Sequence, residues 1–218
     1  MPRTTHPVLV RRTTAALVLS VASTLAACAG ANPYFDASKP HHRPDGFQNN
    51  HLEFAPRGLG QLLQWRLDAW REDLPKPPAR PTPQVEPDLR FVQANAVAGA
   101  AMQPAVTWIG HATVLAQFGG LNVLTDPIFS ERASPVSFLG PKRAQPPGIA
   151  PAQLPRVDVV LISHNHYDHL DEASVRLLDA QPGGPPLFVV PLGLKPWLEA
   201  VGARRAVELD WWQSHRVG

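Results

Sequence analysis

The chain has 218 residues, 44% of them apolar, enough for one sizeable core with an extension. Its 25 prolines are about twice the usual share and they cluster, which marks loops and connectors rather than a wholly disordered protein. The net charge of +2 comes from the N-terminus: without Arg3, Arg11 and Arg12, 17 Lys+Arg face 18 Asp+Glu. That near-neutral balance excludes a nucleic-acid footprint, and a single Cys excludes an internal disulfide.

The first 27 residues read as an address. A basic start precedes a thirteen-residue apolar stretch, Ala15 to Ala27, too short to span a bilayer and suited to a signal h-region. It ends Leu25-Ala26-Ala27-Cys28, which is similar to a bacterial lipobox whose Cys carries lipid. An ordinary secretory signal is the alternative. An unmodified thiol in an exported protein would be unusual, which favours lipidation. The expected setting is the bacterial cell envelope, lipid-anchored, at the outer membrane or in the periplasm.

Residues 28–58 are polar and read as a tether and arm, with His41 and His42 solvated rather than gathered on a metal. Leu59, Leu62, Leu63, Arg66, Leu67 and Trp70 fall at helical spacing, which predicts an amphipathic helix over 59–73, with Trp65 and Trp70 packed. Six prolines within 75–87 predict a stiff extended connector across the domain surface. The extension thus covers 59–104, and the domain proper 105–218.

Within that domain, 106–109, 114–118 and 121–125 read as strands, the last two joined by a Gly119-Gly120 hairpin. A long loop with seven prolines, 127–155, follows. A strand over 157–163, a helix over 172–180, a strand over 187–190, a helix over 195–201 and a strand over 206–212 complete the order. Hairpins first, then alternating strands and helices, predict an α/β fold with a mixed sheet.

The chemistry concentrates in His164-Asn165-His166-Tyr167-Asp168-His169, directly after a buried-type strand. In an extended loop, positions two apart point the same way, so His164 and His166 can meet at one ion. Asp168 and His169 can address a second. Three imidazoles and a carboxylate favour zinc, with iron or manganese also possible. Two neighbouring ions suit hydrolysis.

This motif resembles the signature of the metallo-β-lactamase superfamily. Trp108-Ile109-Gly110-His111-Ala112-Thr113, Thr125-Asp126-Pro127-Ile128-Phe129-Ser130, Gly140-Pro141-Lys142-Arg143 and Glu208-Leu209-Asp210-Trp211-Trp212 resemble its N-acyl-phosphatidylethanolamine-hydrolysing phospholipase D branch. The resemblance implies an αββα sandwich with a two-zinc site. His164 and His166 would hold the first zinc, and Asp168 and His169 the second, with both of the latter in the catalytic machinery. His111 and Asp126 are expected beside the site as supporting groups, although a turn histidine and a turn-capping carboxylate are equally open readings. Lys142 and Arg143 could meet a substrate phosphate or form a solvated pair.

The family draws a third His, a bridging Asp and a final His from the second half of the sandwich. None of these is matched here, so the chain reads as the N-terminal half of the fold, truncated and inactive alone, with a complete, degenerate protein that lacks a full site as the alternative. The expected whole is a zinc-dependent phosphodiesterase acting on phospholipid-like substrates at a membrane. A hydrolase of a lactone, β-lactam or cyclic phosphate, and a non-catalytic envelope lipoprotein, are the alternatives.

Overall fold

A computed structural model describes residues 31–52, 58–72, 80 and 82–217. The address with Cys28 and most of the 75–81 stretch of the connector lie outside the described residues. The chain divides into two compact units, Met1–Asp73 and Leu74–Gly218.

In the first unit, β1 (His42–Arg43) pairs antiparallel with β2 (Gly46–Phe47). Asn32 clasps this hairpin, donating from Nδ2 to Arg43 O and Gly46 O at 3.1 and 2.8 Å. His42 Nδ1 accepts from Asp36 N at 3.1 Å, and its ring meets Phe47 edge-on. His41 and His42 are both buried, so the reading of a solvated tether is corrected here. A tight turn and an asparagine clasp fold this segment although it has no hydrophobic periodicity.

Helix α1 (Leu59–Arg71) ends two residues before the expected boundary. Gln61 Oε1 accepts from the Gly58 N–H at its start, satisfying one of the open N-terminal donors. None of its residues is buried: Trp65 is 58% and Trp70 78% exposed, so neither is the packing residue expected. Among the described residues, no helix is long and apolar enough to cross a membrane.

The second unit opens with α2 (Leu89–Ala96), capped by Asp88, whose Oδ1 accepts from Phe91 N at 3.0 Å. The strands are β3 (Ala105–Gly110), β4 (Thr113–Phe118), β5 (Leu121–Thr125), β6 (Val159–Leu161), β7 (Leu187–Pro191) and β8 (Ala206–Leu209), with α3 (Glu172–Asp179) and α4 (Lys195–Ala200) between the later ones. They form one six-stranded sheet in sequence order. β3, β4 and β5 run antiparallel, then β5 to β8 run parallel. This is the mixed α/β arrangement that the sequence predicts. β6 and β8 are shorter than expected, and Trp212, inside the expected last strand, adopts left-handed φ 69° beyond its end.

Register fixes which side chains share a face. Leu115, Leu124, Val160 and Phe188 align across neighbouring strands. They form the core with Val92 of α2, Val175 and Leu178 of α3, and Leu198 of α4. The opposite face is open at Val106 (76% exposed) and Trp108 (66%), and also at Phe118 and Leu161. One helix-covered sheet layer is therefore present, matching the expected first half of a sandwich.

Parallel strands need crossovers, and these place loops at the carboxyl ends of β5 and β6. Asp126 leaves β5 and Ser163–His169 leaves β6 at that edge. The β3–β4 turn carries His111 to the same edge.

Candidate metal centre

Two of the residues at this edge have backbones that side chains rarely adopt. His111 has φ 49° and Asp126 φ 35°. Such conformations persist where the surroundings fix them, and they gather at functional sites. The His111 turn is held by Trp108, whose Nε1 donates to His111 O at 2.9 Å, and by Gly148 N donating to Ile109 O at 2.7 Å. A Cβ at Gly148 would stand 3.3 Å from that same carbonyl, so a side chain there would crowd the turn.

Asp126 anchors the histidine loop. Its Oδ1 accepts from Ser163 N at 2.7 Å, and its Oδ2 from Ser163 Oγ at 2.8 Å and His169 Nδ1 at 3.1 Å. Since the Ser163 hydroxyl proton goes to Asp126, Ser163 Oγ accepts from His164 Nδ1 at 2.9 Å. This chain of bonds protonates Nδ1 of both His164 and His169 and leaves each Nε2 with a lone pair. A carboxylate behind a histidine is the usual way a ligand tautomer is fixed.

The lone pairs converge. His164 Nε2 lies 3.1 Å from His166 Nδ1, and His169 Nε2 lies 3.5 Å from Asp168 Oδ2. Two donors on one tetrahedral zinc, at bonds of about 2.0–2.1 Å, stand roughly 3.3 Å apart. Both spacings fit a shared ion. His111 Nε2 to Asp168 Oδ2 is 2.8 Å, the length of a charge-assisted hydrogen bond rather than of a co-ligand pair. The ligand atoms of His111, Asp168 and His169 all fall within 4.8 Å of one another, so His111 is close enough to count among possible donors.

Protonation suits the same use. Burial lowers the His164 pKa, and the neighbouring His169 and His166 lower it further, so the ring is held neutral as a ligand must be. Burial pushes the Asp168 carboxyl up, but a backbone hydrogen bond, the hydrogen bond with His111 and the neighbouring His169 outweigh it, and the pKa lies below its ordinary value.

The structure thus brings His111, Asp126, His164, His166, Asp168 and His169 to one place. Lys142 and Arg143 also border the cleft, but their heads are engaged elsewhere. Lys142 Nζ pairs with Glu131 at 2.5 Å. Arg143 Nη1 reaches the carbonyls of Ile128, Phe129 and Ser130 at 3.4 Å each, and Nε the carbonyl of Gln145 at 2.9 Å. Arg143 therefore ties down the long loop. A cleft of about 1300 Å³ opens over the site, bordered by Trp108, Ile128, Leu194 and Trp197 together with His111, His166 and Asp168.

Sequence reasoning missed two residues. Ser163 carries the proton chain between Asp126 and His164. Asp171 accepts from Ser130 N and Ser130 Oγ at 3.1 and 2.8 Å, bolting the loop after β5 to the start of α3. Both flank the histidine motif, and a short polar side chain beside metal-type ligands is the signal that could have found them.

Residues 121–218 match the family described as the beta-lactamase superfamily domain. Its relatives include an uncharacterized protein of Mycobacterium tuberculosis, 43% identical over 159 residues, covering 72% of this chain and 40% of that protein. N-acyl-phosphatidylethanolamine-hydrolyzing phospholipase D 1 of Caenorhabditis elegans is 44% identical over 114 residues, covering 50% of this chain and 32% of that one. A UPF0173 metal-dependent hydrolase of Pyrobaculum islandicum is 35% identical over 68 residues, covering 31% and 25%. The chain spans at most 40% of the length of these relatives.

Proposed function

We propose that the protein is a metal-dependent hydrolase that cleaves phosphodiester bonds in phospholipid-like substrates and is held at the bacterial cell envelope by lipid on Cys28. The observation that carries the hydrolase reading is the convergence of His164 Nε2 with His166 Nδ1 beside Asp168 and His169, at spacings that suit shared ions. The names of the nematode and archaeal relatives support metal-dependent hydrolysis, and the nematode one a phospholipid substrate.

His164 and His166 would hold one zinc, and Asp168 and His169 another; bound there, the pair would supply an acidified water and charge for a developing oxyanion. The protein's own groups prepare this. Asp126 and Ser163 hold the protons on Nδ1 of His169 and His164. His111 holds its Nε2 proton against Asp168 Oδ2 and fixes that carboxylate at the cleft floor. The apolar walls at Trp108, Ile128, Leu194 and Trp197 suit a substrate with an apolar part next to its reacting group.

The test is hydrolysis of bis(p-nitrophenyl) phosphate and N-acyl-phosphatidylethanolamine by the metal-loaded full-length protein, with nitrocefin and a lactone as comparison substrates. Phosphodiester cleavage that stops with dipicolinate and returns with Zn²⁺ is expected. Chelator-sensitive cleavage of only nitrocefin or the lactone would overturn the phosphodiesterase reading but keep the metal one. No chelator-sensitive turnover of any of the four would sink the hydrolase itself.

A further inference from the structure

α1 has thirteen residues and buries none of them. At about 3.6 residues per turn, Leu59, Leu62, Leu63, Leu67 and Trp70 share one face. Asp68 and Gln64 lie on the other, where Gln64 Nε2 donates to Asp68 Oδ1 at 2.8 Å. An apolar stripe this continuous is normally buried.

We propose that α1 is an interfacial helix, lying in the plane of a lipid bilayer with the Leu59–Leu63–Trp70 face sunk among the headgroups. Its length argues for lying rather than crossing: thirteen residues at about 1.5 Å each make roughly 20 Å, against about 30 Å of hydrocarbon. Its composition argues for lipid over a protein groove. Trp65 and Trp70 are amphipathic rings of the kind that settle at the membrane–water boundary. Arg66 falls within the apolar stripe, where a protein groove would have to pair it but a headgroup phosphate receives it as its stem snorkels. The only acid of the helix, Asp68, faces away and pairs with Arg71 at 3.8 Å, which leaves Arg66 as the charge within the stripe, so the buried side complements anionic lipid. Leu59 follows Cys28 by 31 positions, well within reach of the surface that a lipidated Cys28 would occupy. The inference rests on the anchor only for delivery to that surface; the helix face stands by itself.

Replacing Cys28 by Ser removes both the anchor and the chain's single thiol. In that background, Leu63→Cys and Asp68→Cys each take one environment-sensitive fluorophore. Vesicles of phosphatidylcholine, with and without phosphatidylglycerol, are added, plain or carrying spin-labelled lipid. The label at 63 is expected to shift to the blue and be strongly quenched, at a depth of about 5–10 Å, more so with the anionic lipid. The label at 68 should barely respond. Equal response at both positions, or none, overturns the proposal. So does a blue shift at 63 that tracks protein concentration without vesicles, which would show a second copy on that face. Membrane fractionation of the unaltered chain against Cys28→Ser tests the anchor separately.

Discussion

His111 Nε2 and Asp168 Oδ2 stand 2.8 Å apart although 57 positions separate them in the chain. A left-handed turn between two antiparallel strands brings the first, and a loop leaving a parallel strand brings the second. The distance assigns the histidine a positioning role, because it is shorter than the spacing of two donors on one ion. His111→Gln should therefore weaken metal binding about 10- to 100-fold while leaving the number of bound ions unchanged. Competition against a chromophoric chelator reads both quantities. A fall in stoichiometry would instead make His111 a ligand.

Asp126 supports the loop from beneath and does so in a left-handed backbone conformation. Asp126→Ala removes the acceptor for three donors and places an ordinary side chain where only short polar ones rest easily. Each orphaned group costs about 1–3 kcal/mol and the conformation about 1–2 kcal/mol more. Asp126→Asn keeps one acceptor oxygen and tolerates the backbone, so it should lose clearly less. Thermal or urea unfolding of the two variants side by side is the measurement. Equal losses would mean that the network and the turn contribute little.

Much of this was legible in the sequence, and for physical reasons. β5 comes out at the expected residues because alternation and the Gly119-Gly120 turn bound it on one side and Asp126-Pro127 on the other. The four donors of the 164–169 loop cluster because they are adjacent in the chain. What sequence could not supply are the long-range polar contacts. The 57-residue reach of His111 and the Asp126–Ser163–His164 chain depend on three loops meeting at one sheet edge. The His41–His42 hairpin escaped because a turn and one asparagine shape it without any apolar period.

α2 was hidden for a related reason: beyond Val92 and Leu89 in the core, polar side chains tie it to the sheet. Gln117 Nε2 donates to Val92 O at 3.0 Å and to Asn122 Oδ1 at 2.9 Å, while Asn122 Nδ2 reaches Ala96 O at 3.2 Å. Asn95 Nδ2 meets Gln103 O at 2.9 Å and Gln117 Oε1 at 3.3 Å. Gln117 and Asn122 occupy core-facing strand positions that pattern reading reserves for apolar side chains. Gln117→Leu keeps the bulk but strands Asn122 Oδ1, at about 1–3 kcal/mol, and takes from Val92 O the donor it has besides its own helix. Reduced unfolding free energy, with faster amide exchange confined to α2, is expected. A neutral or stabilising Leu would show the network to be dispensable.

The sheet face opposite the helices has the opposite problem, apolar groups without cover. Val106 and Trp108 on edge strand β3, Phe118 on β4 and Leu161 on β6 all open on that side. An aromatic side chain alone carries about 150–250 Å² of surface, so this patch passes what a monomer usually leaves in water. An edge strand with free backbone groups beside it adds a route to pairing. The chain on its own should therefore bind 8-anilinonaphthalene-1-sulfonate while fully folded, and its apparent mass in light scattering should rise with concentration. Val106→Lys together with Phe118→Lys should abolish most of the dye signal and leave the far-ultraviolet dichroism unchanged, since neither side chain reaches the core cluster. Dye binding that survives both changes would place the sticky surface elsewhere, and no binding by the unaltered chain would mean that this face is covered in solution.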